Sequence, residues 1–92
     1  MWYVYLLRCS DNSLYCGITK DLDRRIYDHN NTSKSAKYTR SRRPVKLVWF
    51  EKSLTRSTAQ KLEYKIKKLK KIEKEMIVAS NDSLCTVLSS SL

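Results

Sequence analysis

The sequence predicts an α/β (α+β) fold, a small three-stranded antiparallel sheet flanked by helices in the order β-β-α-β-α(-α). Short runs of aromatic and branched residues alternate with segments whose apolar residues recur every three or four positions. The 92 residues are enough for one domain with a modest core. A hydrophobic fraction of 41%, with two Trp, six Tyr and one Phe, excludes a disordered chain although 30% of the residues are charged.

The first two strands are predicted to form an antiparallel hairpin. Residues 2–8 are dense in aromatic and branched side chains, which is typical of a buried strand. Residues 10–13 are a cluster of turn-forming residues, and residues 14–18 return as the second strand.

The first helix is predicted from about residue 21 to residue 30. Thr19 or Asp21 can cap it, because each places a side-chain oxygen where the first backbone N–H groups lack partners. Leu22 and Ile26 lie four residues apart and therefore form one apolar edge.

A loop and a third strand are predicted to follow. Residues 30–43 show no period and are rich in Ser, Asn, Lys and Arg, which indicates a loop. Pro44 ends this loop, and residues 45–50 read as the third strand.

A longer helix is predicted after several candidate N-caps at residues 54–57. Its apolar positions follow at spacings of three or four: Ala59, Leu62, Ile66, Leu69 and Ile72. Residues 76–78 continue the pattern after a break near Lys70. We therefore expect one domain over residues 1–79 and a Ser-rich peripheral tail over residues 80–92.

The charge indicates a polyanionic partner. Nineteen Lys and Arg against nine Asp and Glu leave a net charge of +10. Nucleic acid is the partner that this excess favours, ahead of anionic membrane or ribosome surfaces. No membrane span or signal peptide is recognisable.

The cysteines indicate a reducing compartment. They are three in number and have no CxxC spacing, and His29 is the single histidine, so we expect no zinc site. Reduced thiols are typical of the cytoplasm, which is the expected location.

Two basic clusters stand out. The first has no acidic residue and surrounds Tyr38, whose ring could stack on a base. Its cations are Lys34, Lys37, Arg40, Arg42, Arg43 and Lys46. Such a loop is suited to binding phosphates, although a solvated charged loop would look the same.

The second cluster, over residues 61–74, has seven Lys against two Glu on the polar side of the long helix. Like charges one turn apart destabilise a helix by roughly 0.2–0.5 kcal/mol per pair. A polyanion beside the helix would explain this cost, and a solubilising face is the alternative.

A further set of residues has the types that phosphodiester hydrolysis needs. A base must activate water, a cation must hold the phosphate, and a carboxylate must hold a metal for the leaving oxygen. The candidates are Tyr5, Tyr15, Arg25, His29 and Glu63.

The sequence motifs that contain these residues resemble those of a known family. The chain reads YVY at residues 3–5, YCGITKDLDRR at residues 15–25 and AQKLE at residues 59–63. Over about residues 2–78 it is similar to the GIY-YIG nuclease domain, and more narrowly to the small single-domain bacterial proteins of the YhbQ-like group. Tyr3 stands where the motif name has Gly, and Cys16 where it has Ile.

The resemblance implies a three-stranded antiparallel sheet and metal-dependent endonuclease activity. Tyr5 and Tyr15 match the two motif tyrosines, of which we favour Tyr15 as the general base that activates water. Arg25 matches the arginine that holds the phosphate, Glu63 the metal-binding glutamate, and His29 a histidine of some members. A single carboxylate leaves most of the metal shell to water and phosphate, which suits Mg²⁺, with Mn²⁺ as the alternative.

The resemblance also bears on partners. It favours DNA over RNA as the substrate. No appended DNA-binding domain is recognisable in these 92 residues, so a protein partner could supply specificity. The alternative function is a nucleic-acid-binding accessory module that keeps the fold with weak or absent turnover.

Overall fold

The structure, a computed structural model, describes residues 1–80. In chain order its elements are β1 (Trp2–Arg8), β2 (Leu14–Thr19), α1 (Leu22–Asn31), α2 (Lys37–Arg40), β3 (Lys46–Ser53), α3 (Arg56–Lys67) and α4 (Lys71–Ser80). The predicted order β-β-α-β-α-α is confirmed, with the short helix α2 added between α1 and β3.

β1 is the centre of the sheet. The strand order is β2-β1-β3, and both neighbours pair with β1 in the antiparallel direction. In this register Tyr5 of β1 lies opposite Gly17 of β2 on one side and Phe50 of β3 on the other. β2 is therefore an edge strand, paired on one side with β1 and unpaired on the other. The predicted β1–β2 hairpin is confirmed.

The alternation of side chains along β1 builds a core on each face of the sheet. Val4 and Leu6 are fully buried against Ile66 of α3, and we call this side the α3 face. Tyr5 points the other way and packs with Ile26 of α1, on the side that we call the α1 face.

The first helix begins as its cap predicts. Asp21 accepts a hydrogen bond from the backbone N–H of Arg24 at 3.1 Å, and Asn31 is the last residue of α1. The prediction that residues 30–43 form a loop throughout is wrong at residues 37–40, where α2 makes one turn. One turn is too short to show a period, and it is held by contacts of its side chains with α1, described below.

The third strand is longer than predicted. It begins at Lys46 and continues to Ser53, because its pairing with β1 extends as far as Trp2 opposite Ser53. The predicted break near Lys70 is confirmed, since α3 ends at Lys67 and α4 begins at Lys71.

An ion pair ties α4 to the end of β1. The guanidinium of Arg8 donates to both carboxylate oxygens of Glu75, at 2.8 and 2.6 Å. Lys71 donates to the same carboxylate at 2.8 Å.

The predicted tail of residues 80–92 lies outside the described residues apart from Ser80, which is the last residue of α4. Cys9 and Cys16 are free and buried. Among residues 1–80, none of the helices has the length and apolar content to cross a bilayer.

Candidate active site

Tyr5 extends from the central strand across the edge strand. A Cβ atom built on Gly17 would lie 2.6 Å from Cζ of Tyr5 and closer still to its hydroxyl oxygen. Such a contact is far shorter than van der Waals distance, so only glycine lets the Tyr5 ring lie over β2. The Tyr5 hydroxyl is thereby placed near the outer edge of the sheet, although the residue is only 1% exposed.

His29 of α1 fixes the hydroxyl of Tyr5. Its ring is completely buried, with Nε2 2.9 Å from Tyr5 Oη and Nδ1 2.7 Å from Thr39 Oγ1. The Thr39 hydroxyl donates to the carbonyl of Ala36 at 3.0 Å, so it accepts from Nδ1–H of His29. Nε2 is then the acceptor, and the hydrogen bonds run in one direction from Tyr5 through His29 and Thr39 to a backbone carbonyl.

The electrostatics of this pair favour neutral forms. Burial and the nearby Arg25 guanidinium lower the pKa of His29 to about 4. Burial also raises the pKa of Tyr5 to about 12, against the opposing effect of Arg25. A neutral imidazole accepting from a neutral phenol is the consistent state at pH 7, and Tyr5 keeps its proton there.

Tyr15 lies beside this pair on the same face of the sheet. Its ring centroid is 5.3 Å from that of His29 and 6.5 Å from that of Tyr5. On α2, Tyr38 stacks on it with a centroid distance of 6.0 Å and an angle of 24°. Within residues 1–80 no group forms a hydrogen bond with the Tyr15 hydroxyl, and the side chain is half-buried. The Tyr15 hydroxyl therefore forms fewer hydrogen bonds than the Tyr5 hydroxyl.

Arg25 of α1 completes the group on the α1 face. Its guanidinium donates to the Lys34 carbonyl at 2.8 Å and lies close enough to Tyr5 and His29 to change the pKa of both. The side chain is half-buried, so the remaining donors lie at the boundary with solvent. A half-buried guanidinium with unused donors can bind a phosphate oxygen.

Glu63 lies on the other side of β2. It belongs to α3, which packs on the α3 face, whereas both motif tyrosines and His29 lie on the α1 face. Its carboxylate is 3.6 Å from Nζ of Lys67. Burial first, and then the charge of Glu63, raise the pKa of Cys16 to about 12, which places Glu63 beside β2. The structure thus brings four of the five predicted residues together and separates Glu63 from them by the width of the edge strand.

The Glu63 carboxylate fits a hard divalent cation that takes few of its ligands from the protein. Residues 1–80 contain no group of three or more His, Cys, Asp or Glu side chains arranged to hold a metal ion. The Glu63 side chain is 21% exposed and its only ion pair in this part of the chain is the loose one with Lys67. A single carboxylate suits an ion such as Mg²⁺, whose other ligands are water and substrate phosphate.

Two arginines of the first basic cluster are used inside the loop. Arg43 donates to the carbonyls of His29 (2.6 Å) and Thr32 and to the hydroxyl of Ser35 (3.1 Å). Arg40 donates to the carbonyl of Ser33 at 2.8 Å. These bonds tie the segment between α1 and β3 together, and nothing in the spacing of the arginines indicates them.

Arg42 links this segment to the β1–β2 turn. Its Nε donates to Asp11 at 3.0 Å, and its Cζ lies 3.9 Å from the centroid of the Tyr38 ring. The backbone N–H of Ser10 also donates to the Arg42 carbonyl, at 3.0 Å. Sequence reasoning did not identify Asp11 or Thr39, because each acts through a partner distant in sequence.

The other members of the cluster face solvent. Lys34, Lys37 and Lys46 are exposed, and Tyr38 is 39% exposed. Lys37 is on α2 beside Tyr38, which stacks on Tyr15, whereas Lys46 is at the start of β3 on the far side of β1 from β2.

The fold and the grouping of two tyrosines, an arginine and a histidine define a class of protein. Residues 1–76 match the family model described as the GIY-YIG catalytic domain. The chain belongs to this nuclease family.

Its relatives narrow the assignment to the UPF0213 proteins. The chain is 48% identical over 81 residues to the UPF0213 protein of Desulfotalea psychrophila, which covers 88% of this chain and 74% of that one. It is 51% identical over 80 residues to the UPF0213 protein CPE1444 of Clostridium perfringens, covering 87% and 85%. A solution NMR structure of a UPF0213 protein from Bacillus halodurans superposes with a TM-score of 0.57 at 39% identity, covering 96% and 94%.

Proposed function

We propose that this protein is a metal-dependent endonuclease that hydrolyses phosphodiester bonds in DNA. The observation that carries the proposal is the grouping of Tyr5, Tyr15, His29 and Arg25 at the edge strand β2. The family assignment supports the nuclease class, and the net charge of +10 supports a nucleic acid substrate.

In this proposal Tyr15 is the general base. The Tyr15 hydroxyl has no hydrogen-bond partner within residues 1–80, whereas the Tyr5 hydroxyl donates a hydrogen bond to Nε2 of His29 and has a pKa of about 12. As phenolate, Tyr15 takes a proton from water, and the hydroxide attacks phosphorus. The bond from phosphorus to one ester oxygen breaks, and that oxygen is protonated by solvent. Arg25 holds a non-bridging oxygen and offsets the charge that develops there.

Tyr5 and His29 have positioning roles in this scheme. A buried histidine cannot reach the substrate, but its hydrogen bond fixes the orientation of the Tyr5 hydroxyl. The Tyr5 oxygen, which is itself buried, also has a side-chain hydrogen bond with Arg25, so Tyr5 helps to hold that guanidinium in position for the phosphate.

Glu63 would hold the divalent metal, Mg²⁺ or Mn²⁺. A metal held there would supply positive charge that stabilises the phosphate and the leaving oxygen. Because β2 is an edge strand, a phosphate at its outer side can be reached from both faces of the sheet, which reconciles Glu63 with the tyrosines. The exposed lysines and Tyr38 around the site would bind the flanking backbone, and a protein partner in the cytoplasm could supply specificity.

The test is a cleavage assay on supercoiled plasmid, branched DNA and structured RNA with Mg²⁺, Mn²⁺ or EDTA. Tyr15→Phe and Glu63→Gln should abolish cutting and preserve binding. The matched controls are Tyr27→Phe, which changes an exposed tyrosine, and Glu51→Gln on β3. Equal cutting by Tyr15→Phe and the native protein would remove the proposal.

The separation of Glu63 from the tyrosines favours a second candidate, a nucleic-acid-binding accessory module of the same fold. In that case binding to these nucleic acids occurs without cutting under any metal condition. Its affinity would fall with salt and depend on the exposed lysines near Tyr38.

A further inference from the structure

The basic residues of this protein differ in whether their side chains already form hydrogen bonds or ion pairs within the fold. Arg40, Arg42 and Arg43 donate to backbone carbonyls or to Asp11, so their binding capacity is partly satisfied within the fold. Most lysines on or next to α3, in contrast, have no such partner within residues 1–80. Lys67 pairs with Glu63, the one acidic residue of α3, and within residues 1–80 no acidic partner is recorded for Lys61, Lys65 or Lys68.

Lys61 and Lys65 of α3 and Lys68, the C-cap residue of this helix, lie on its outward side. Spacings of four and three residues place them on one stripe, opposite the buried stripe of Ala59 and Ile66. Tyr64 lies among them and is 61% exposed, and Nζ of Lys68 is 4.3 Å from the centroid of its ring. We call Lys61, Tyr64, Lys65 and Lys68 the α3 lysine surface.

The composition of this surface suits the backbone of a nucleic acid. Lys61 and Lys65 repel one another at a spacing of four, which costs the isolated helix roughly 0.2–0.5 kcal/mol. A polyanion beside the helix turns this repulsion into attraction. An exposed aromatic ring among cations is also the arrangement on which unpaired bases stack.

The α3 lysine surface is on the opposite face of the sheet from the tyrosines of the candidate active site, and it is on a different side of α3 from Glu63. α3 packs on the α3 face, and the tyrosines, α1 and α2 lie on the α1 face. The lysines lie on the side of α3 that faces away from the sheet, and the tyrosines lie beyond the sheet on its other face.

We propose that the α3 lysine surface is a second nucleic-acid-binding site, which binds phosphate backbone independently of the site at β2. Lysine ammonium groups contact phosphates as point charges, so binding here has no sequence preference. It rests on the proposed function only for the choice of nucleic acid as ligand, and it requires no cleavage.

The test measures binding of a labelled DNA duplex by fluorescence anisotropy over a range of salt in EDTA, where cleavage plays no part. The variant carries Lys61→Gln, Lys65→Gln and Lys68→Gln. The control carries Lys20→Gln, Arg24→Gln and Lys52→Gln, which remove three exposed cations elsewhere. Loss of three phosphate contacts lowers the slope of log K against log salt by about 2–3, and the control keeps the native slope.

Equal slopes for the two triple variants would overturn the proposal, because the effect would then be one of net charge alone. Loss of binding to anionic phospholipid vesicles with unchanged DNA binding would overturn it as well, and would assign the surface to lipid. An NMR titration of the native protein with a short oligonucleotide gives a readout free of folding effects. The backbone amides of Lys61, Tyr64 and Lys68 should shift, and unmoved signals there would reject the site.

A capture assay tests the independence of the two sites. A duplex on beads should retain a second, labelled duplex only in the presence of the native protein. The α3 triple variant should lose this retention and still bind the first duplex. Retention that survives in the variant would contradict the proposal. Failure of cleavage by the native protein would affect the proposed function and leave all of these binding results unchanged.

Discussion

The hydroxyl oxygen of Tyr5 lies 2.9 Å from Nε2 of His29, which is 24 residues further along the chain. The other ring nitrogen of His29 is held at 2.7 Å by Thr39, so the imidazole has partners on both sides and no contact with solvent. The orientation of the Tyr5 hydroxyl therefore depends on a residue of α2, a helix of one turn.

Replacing His29 tests this dependence. His29→Gln should lower kcat by about 10–100-fold with little change in the affinity for DNA, because the buried ring orients Tyr5 and does not touch the substrate. Thr39→Val should give a smaller loss of the same kind, since it removes only the partner of Nδ1. Single-turnover cleavage and anisotropy measure the two quantities. A weaker affinity with unchanged kcat would show that His29 acts on binding instead.

Stability should depend on pH through the same histidine. The pKa of His29 is lowered from 6.5 to about 4 in the folded state, so between these values the unfolded chain binds more protons. The contribution of neutral His29 to the free energy of unfolding is complete above about pH 6.5. It is lost as pH falls towards 4, by up to about 3 kcal/mol. Urea denaturation at pH 7, 6 and 5 should show the loss for the native protein, whereas His29→Gln should give a flat profile in this range.

Gly17→Ala should disable the site without removing any of its polar groups. The added Cβ would overlap the end of the Tyr5 ring, which is packed and cannot move without breaking its bond to His29. We expect cleavage to fall at least 10-fold and the unfolding free energy to drop by about 1–3 kcal/mol. Ile18→Val, on the same strand but packed on the α3 face, is the comparison. Native activity in Gly17→Ala would mean that the position of Tyr5 is unimportant.

Arg43 and Lys46 should differ in effect although both belong to the first basic cluster. Arg43→Gln should destabilise the protein by about 1–3 kcal/mol, because it leaves the carbonyls of His29 and Thr32 without their donor. Lys46→Gln removes the same charge from an exposed position and should leave the unfolding midpoint unchanged. Equal midpoints for the two variants would show that the internal bonds of Arg43 contribute little.

The ion pair between Arg8 and Glu75 should contribute in a lower pH range than His29. The hydrogen bonds that Arg8 and Lys71 donate to Glu75 lower the pKa of this carboxyl from 4.5 to about 2. The stabilisation of the folded state by the ion pair is therefore present above pH 4.5 and lost as pH falls towards 2. Both side chains are partly exposed, and we expect Glu75→Gln to cost about 1 kcal/mol or less at pH 7. Thermal denaturation of Glu75→Gln and Glu73→Gln at pH 7 and 3 provides the comparison.

The regular part of the fold could be predicted because its signals are local. The strand residues around Tyr5, the Asp21 cap and the apolar spacing of Ala59 and Ile66 each belong to one element. The helix α2 escaped prediction because a single turn carries no period and is stabilised by its contact with His29.

The candidate site was accessible to sequence reasoning only in part. The resemblance of its motifs to a nuclease family predicts a hydrolase, but the burial of His29 and the position of Glu63 beyond the edge strand depend on how α1 and α3 pack on opposite faces. The internal use of Arg43 could not be inferred either, since its acceptors are backbone carbonyls, which every residue possesses.

The single glycine of this chain lies beneath Tyr5 and not in a turn. The left-handed position of the β1–β2 turn is filled by Asn12, with φ of 69°. Exchange of flexible glycines for alanine, which stabilises many proteins by reducing the entropy of the unfolded chain, therefore has no target here. The one position that this approach would select is Gly17, where an added Cβ would collide with Tyr5, so attempts to make the protein more heat-resistant have to begin elsewhere.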